Sequence, residues 1–197
     1  TLVIATHNDG KMEEFMTLFA DYPIRILSAK NIGLKEPKET ENSFVGNAIL
    51  KARAAAFQSN KPALSDDSGL CVKTLDGAPG IHSARWAGPD RDFKIAMELV
   101  NNALTESKSN DKRAKFVCAL ALVWPDGVSL SVEGTIKGEL TFPPRGEKGF
   151  GYDPIFQPAG HTISFGEMEP SFKHSISHRS IAFEKLIKRC FKKINDN

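Results

Sequence analysis

The chain has 197 residues, 41% of them hydrophobic, and a formal net charge of +2 at pH 7. That length suffices for one sizeable core, or for two lobes sharing one, and so small a net charge leads us to expect no nucleic-acid partner. Cys71, Cys118 and Cys190 follow no Cys-x-x-Cys spacing and the longest apolar run, residues 116–124, is too short to span a bilayer, so neither a zinc site nor a membrane association is expected.

In chain order, Leu2-Val3-Ile4-Ala5 reads as a buried strand that stops at the polar turn Thr6-His7-Asn8-Asp9-Gly10-Lys11. Met12, Phe15, Met16 and Phe19 then mark one face of a helix, so the turn lies where a strand hands over to a helix N-terminus. Free N–H groups, the positive end of the dipole and the Lys11 charge make that a place for phosphate. It is not a Walker loop, because the first glycine is missing and Met12 stands where a Ser or Thr should hold magnesium. A second strand follows at Ile24–Leu27, then a polar stretch from Ala29 to Glu41, then a helix capped by Asn42 that runs to about Gln58 with Phe44, Ala48, Ala52 and Ala55 inward.

The short apolar run Pro62-Ala63-Leu64 leads into Asp66-Asp67-Ser68-Gly69. Two adjacent carboxylates repel and raise each other's pKa, so a site that keeps both usually supplies a cation, an Arg or Lys partner, or open water; the plainer alternative is a solvated turn with Asp as a helix cap. A Gly- and Pro-rich loop, residues 76–90, precedes an amphipathic helix with Phe93, Ala96, Met97 and Val100. Strands near 115–124 and 128–135 form a hairpin over Pro125-Asp126-Gly127. In Gly149-Phe150-Gly151-Tyr152-Asp153-Pro154 the glycines allow a flat ligand to approach, with Phe150 and Tyr152 to stack and Asp153 to accept; the alternative is a turn with Phe150 in the core. Ser177-His178-Arg179 heads the last helix, whose apolar face is Phe183, Leu186, Ile187, Cys190 and Ile194 and whose basic face is Lys185, Lys188, Arg189, Lys192 and Lys193. The pattern as a whole is a single α/β chain with a mixed sheet.

Taken together these motifs resemble the inosine/xanthosine triphosphate pyrophosphatases, hydrolases of non-standard purine nucleotides, over nearly the whole chain. Glu39-Thr40, the run Asn47–Ala52, the run Gly77–Arg85 and Phe172-Lys173 are similar to the family's segments in the same order. The resemblance implies one such domain over residues 1–197, a mixed β-sheet with flanking helices, and two lobes around a central nucleotide-binding cleft. It also implies a homodimer. The triphosphate would meet the loop Thr6, His7, Asn8, Asp9, Gly10 and Lys11, with Lys51 and Lys173 adding charge and Ser68 beside the substrate. Glu39 and Asp67 would hold Mg2+, with Mn2+ as a substitute, and Asp67 would be the general base. Phe150, Gly151, Tyr152, Asp153, His178 and Arg179 would read the base. The reaction implied is attack of water on the α-phosphorus of ITP, dITP or XTP, releasing the monophosphate and pyrophosphate. Two departures stand out: His7 replaces a small residue and Gly46 replaces an acid. The chain opens on a strand with no signal segment, and the location expected is cytoplasmic. A haloacid-dehalogenase-type phosphatase would need Asp-x-Asp at a strand tip, which Asp66-Asp67-Ser68 lacks. A non-catalytic binding module would use the basic last helix with Trp86 or Trp124 for stacking.

Overall fold

The computed structural model describes residues 1–195, with side chains through Cys190. Its strands are β1 (Leu2–Ile4), β2 (Ile26–Ser28), β3 (Ala63–Val72), β4 (Arg113–Val123), β5 (Ser129–Leu140) and β6 (Phe156–Pro158). The helices are α1 (Asp9–Leu18), α2 (Phe44–Ser59), α3 (Ser83–Trp86), α4 (Phe93–Ser107), α5 (Pro170–Ile176) and α6 (His178–Asn195). The six strands form one sheet in the order β2-β1-β3-β4-β5-β6. Strand β1 runs parallel to β2 and β3, and β5 runs antiparallel to β6, which makes the sheet mixed, as the sequence pattern predicts.

The chain divides into two compact units. The first is Thr1–Asp67, Cys118–Gly134 and Arg179–Asn197; the second is Ser68–Val117 and Thr135–His178. In the first unit the sheet is covered on both faces, because alternate strand residues point to opposite sides. Leu2, Ile4 and Leu64 pack with Phe15 and Phe19 of α1 and Phe183 and Leu186 of α6. Val3, Ala5 and Ala63 pack with Ala48, Ala52, Ala55 and Ala56 of α2, whose small side chains bring the helix close to the sheet. Phe15 is completely buried, and cutting it to Ala would cost about 3–5 kcal/mol. The second unit has one core, in which Leu70 and Val72 of β3 meet Ala96, Met97, Val100 and Leu104 of α4 together with Phe116, Phe156 and Phe165.

Several local readings need correction. The α2 cap is Ser43, not Asn42: Ser43 has extended φ and ψ and its Oγ accepts from the Gly46 N–H at 3.0 Å. Met16, expected on the inner face of α1, is 50% exposed, and Glu14 takes an inner place at 4%. The acidic pair is not in a solvated turn, since β3 continues through it to Val72 and both carboxylates are buried. Strands β4 and β5 extend beyond the predicted ends, but the turn between them is as read, with the Gly127 N–H donating to Trp124 O and Gly127 at φ +89°. Helix α5 was not expected; it begins on Pro170, whose fixed φ suits a first helical turn. Lys192, Lys193 and Ile194 lie outside the described side chains. No helix among the described residues is long and apolar enough to cross a membrane.

Candidate active site

In the first unit the turn after β1 is organised as a helix cap. Asn8, with extended φ and ψ, accepts from the Lys11 N–H through Oδ1 at 2.9 Å, and the Thr6 hydroxyl accepts from the Asn8 N–H at 3.2 Å. Gly10 lies in the first turn of α1. Asp9, predicted to face substrate, points to solvent and pairs with Lys30 at 2.8 Å. His7 turns away from the helix start toward residues 34–36. Its Nε2 lies 3.0 Å from Leu34 O and its Nδ1 lies 3.6 Å from Glu36.

Asp66 and Asp67 occupy consecutive positions of β3, so their side chains leave on opposite faces. Asp66 joins the α1 and α6 side. Its Oδ2 lies 2.9 Å from Lys11 Nζ and accepts from the Arg179 guanidinium at 3.0 Å. Arg179 is completely enclosed and also donates to Glu14. Burial draws its guanidinium down to about 9, which leaves it cationic at neutral pH. Arg179, predicted to read the base, sits between the Glu14 and Asp66 carboxylates, with Lys11 on the same Asp66 oxygen. Glu14 was missed by sequence reasoning, although it lies three residues after Lys11 and therefore on the same helix face.

Asp67 joins the α2 side. Its Oδ1 accepts from Lys51 Nζ at 3.0 Å, and the same ammonium donates to Glu39 at 2.7 Å. Asn47, one turn before Lys51, donates from Nδ2 to Asp67 Oδ2 at 3.3 Å. Desolvation raises the Asp67 carboxyl to about 6, against the pull of Lys51 and Lys11 and with help from the Glu39 charge. Burial acts the same way on Glu39, but Lys51, and Lys11 more weakly, hold its pKa below the usual value. Lys51 is raised despite its burial, chiefly by Asp67, Asp66 and Glu39. Lys11, Lys51, Glu39 and Asp67 are thus one electrostatic group. An added Cβ at Gly46 would stand 2.8 Å from Glu41 Cβ, so the acid the resemblance implies there would require Glu41 to shift.

Two carboxylates that converge on one ammonium are a donor set of hard oxygens around a cation position, which suits magnesium or manganese more than zinc. Among the described residues no group of three or more His, Cys, Asp or Glu side chains comes together. The Glu39 and Asp67 oxygens that lie 2.7 and 3.0 Å from the Lys51 ammonium are of the donor type such a cation takes.

In the second unit Ser68 follows Asp67 on β3, half-buried. Phe150 and Gly151 lie in the turn before Tyr152, with Gly149 at φ +74° and Gly151 at φ +68°. The Phe150 N–H donates to Asp153 Oδ2 at 2.8 Å, and Lys173 Nζ donates to the same oxygen at 2.6 Å while lying 4.6 Å from the centre of the Phe150 ring. Lys173, predicted to grip phosphate, thus meets Asp153 and an aromatic face. Burial raises the Asp153 carboxyl, with Lys173 opposing. Tyr152, expected to stack on a base, has its ring in the core, edge-on to Phe93 at 5.3 Å, and its hydroxyl donates to Ser83 O at 2.8 Å. The His178 ring lies flat against Phe116 at 4.9 Å.

The signature of the Ham1 family matches residues 2–189. A dITP/XTP pyrophosphatase of Rhodospirillum centenum is 58% identical over 192 residues, covering 97% of this chain and 95% of that protein. One of Caulobacter vibrioides is 57% identical over 185 residues, covering 94% and 95%. Among solved structures, a HAM1 protein from Coxiella burnetii superposes with a TM-score of 0.89 at 37% identity, covering 97% of this chain and 98% of the other. A nucleoside-triphosphatase / dITP/XTP pyrophosphatase from Mycobacterium abscessus gives 0.76 at 35% identity, covering 94% and 97%. Sequence and fold agree from end to end: the chain belongs to the Ham1 family.

Proposed function

We propose that this protein hydrolyses dITP, XTP and ITP to the monophosphate and pyrophosphate, clearing non-standard purines from the nucleotide pool. The observation that carries the reading is the Lys51 ammonium held by Glu39 and Asp67, with Lys11 close enough for its charge to act on both carboxyls. A triphosphate brings about four negative charges, and an anionic base cannot act beside it until they are offset. Lys11, the N-terminus of α1 and Lys51 supply positive charge; Asp67, held near pKa 6, is a base poised for neutral pH. It accepts the proton of the water that attacks the α-phosphorus, and pyrophosphate leaves. Glu39 and Asp67 would hold Mg2+, or Mn2+ in its place, which when bound offsets phosphate charge. The names of the relatives support the substrate class. Phe150, Asp153 and His178 are the residues we assign to the base, with Tyr152 and Lys173 setting their positions. We further read the protein as a cytoplasmic homodimer, in keeping with a substrate of the nucleotide pool.

Hypoxanthine and xanthine offer a 6-oxo acceptor where adenine offers an amino donor, and a buried polar mismatch is worth about a thousandfold in specificity. The test is pyrophosphate release from ITP, dITP, XTP, ATP and GTP, with and without Mg2+. The first three should lead in kcat/KM by about a thousandfold. Orthophosphate as the first product from ITP, or equal hydrolysis of ATP, overturns the reading.

A further inference from the structure

Asn47 is 0% exposed and uses both ends of its carboxamide. Its Oδ1 accepts from the Glu41 N–H at 3.1 Å, and its Nδ2 donates to Asp67 Oδ2 at 3.3 Å. The orientation of the amide is not arbitrary. The Glu41 N–H can only donate and the Asp67 carboxylate accepts, so exchanging the amide oxygen and nitrogen would set donor against donor at one end and acceptor against acceptor at the other. One side chain therefore ties two separate pieces of chain: the loop just beyond Glu39, and the strand that carries Asp67.

We infer that Asn47 is a positioning residue that holds Glu39 and Asp67 in convergence by pinning the Glu41 backbone and one oxygen of Asp67 at the same time. The inference rests on reading those two carboxylates as the pair that holds the cation. Helix α2 presents Asn47 and Lys51 one turn apart, on one face. The amide takes Asp67 Oδ2 and the ammonium takes Asp67 Oδ1, so the carboxylate plane is held at both oxygens. The same ammonium also meets Glu39, whose segment is tethered two residues later by the Glu41 bond. Without the amide, Asp67 keeps the Lys51 bond at Oδ1 but loses the one at Oδ2 that fixes its carboxylate plane, and the Glu39 segment loses a backbone anchor. Small angular errors of this kind are expensive in a catalytic pair, because supporting partners of metal-holding carboxylates typically carry about 10–100-fold in affinity or rate.

The experiment compares Asn47→Ala with Ser43→Ala. Ser43→Ala removes the N-cap bond of the same helix and touches neither carboxylate, so it controls for general weakening of α2. In Asn47→Ala, kcat for ITP should fall by about 30-fold or more, KM should stay within about threefold, and the Mg2+ concentration for half-maximal activity should rise about tenfold. Hydrogen exchange of the Glu41 amide, measured without nucleotide or metal, should accelerate by at least about tenfold in Asn47→Ala and stay unchanged in Ser43→Ala. Asn47→Asp, similar in shape but with a carboxylate oxygen facing Asp67, should be no better than Asn47→Ala. An unchanged Glu41 exchange rate with an unchanged Mg2+ titration overturns the inference, as does Ser43→Ala reproducing every effect. If the unmodified protein releases no pyrophosphate from any triphosphate, the functional reading fails, and the exchange measurement alone still decides whether Asn47 pins the loop.

Discussion

Asp66 and Asp67 are adjacent in the chain and yet serve different partners: Asp66 bonds to Lys11 and Arg179, Asp67 to Lys51 and Asn47. The pleat of β3 sends the two carboxylates to opposite faces of the sheet, so the repulsion expected between neighbouring acids is relieved by geometry as well as by cations. The two residues should therefore fail in different ways.

Asp67→Asn should lower kcat for ITP by about a thousandfold or more while KM changes little, because it removes a proton acceptor. Asp66→Ala should instead lower stability by about 3–5 kcal/mol, since it strips a buried partner from Arg179. Steady-state kinetics and urea unfolding of both variants separate the roles; matching profiles would contradict them.

The Asp67 carboxyl is raised from 3.8 to about 6, so the folded state binds its proton more tightly than the unfolded chain does. That contribution to stability is complete below pH 3.8 and fades as pH rises through 6. Asn cannot ionise, so the stability of Asp67→Asn relative to the unmodified protein should improve between pH 4 and pH 7.5, by up to about 3 kcal/mol. Urea midpoints across that range, in chelator, provide the check; a relative loss with rising pH would reverse the sign.

Glu39→Gln should raise the Mg2+ concentration needed for half-maximal activity by about tenfold, with much of kcat recovered at saturation. An unchanged titration would move the ligand elsewhere, with Glu41 the next candidate.

On the second unit, Gly149→Ala should hurt selectivity. Gly149 sits at φ +74°, and an added Cβ would stand 2.1 Å from Asp153 Oδ2, the oxygen that Phe150 N–H and Lys173 share. The preference for ITP over ATP should drop at least about tenfold. Tyr152→Phe loses one hydrogen bond to Ser83 O and should cost about 1 kcal/mol of stability while leaving that preference intact. A shift in preference with Tyr152→Phe would instead show that the hydroxyl bond to Ser83 O takes part in base selection.

Much of the fold was legible because periodicity reports burial. The faces Phe93, Ala96, Met97, Val100 and Ala48, Ala52, Ala55 pack as their spacing predicts. Charged groups were less readable, since a sequence shows that a charge exists but not what answers it. Glu14 was passed over because a lone acid on a helix usually faces water, and only Arg179, 165 residues away, shows why it does not. Tyr152 was taken for a stacking surface because nothing in its own motif names Ser83 as the partner of its hydroxyl. A sequence gives no hint that Lys173 and Arg179, like Lys11 and Lys51, each meet a protein carboxylate. The task of Asn47 is not legible in its segment, because a carboxamide reveals its task only when both of its ends have neighbours.

On the proposed reading, the lysine that joins Glu39 to Asp67 would bear on selectivity among ions as much as on the reaction. With both acids ionised the trio carries one net negative charge rather than two, so a stray calcium or zinc ion in the cell does not meet a bare anionic trap. A divalent ion escorted by a polyphosphate brings its own oxygens and its own countercharge. If Glu39 and Asp67 hold the cation as proposed, the resident ammonium would favour ions that arrive in company over ions that arrive alone.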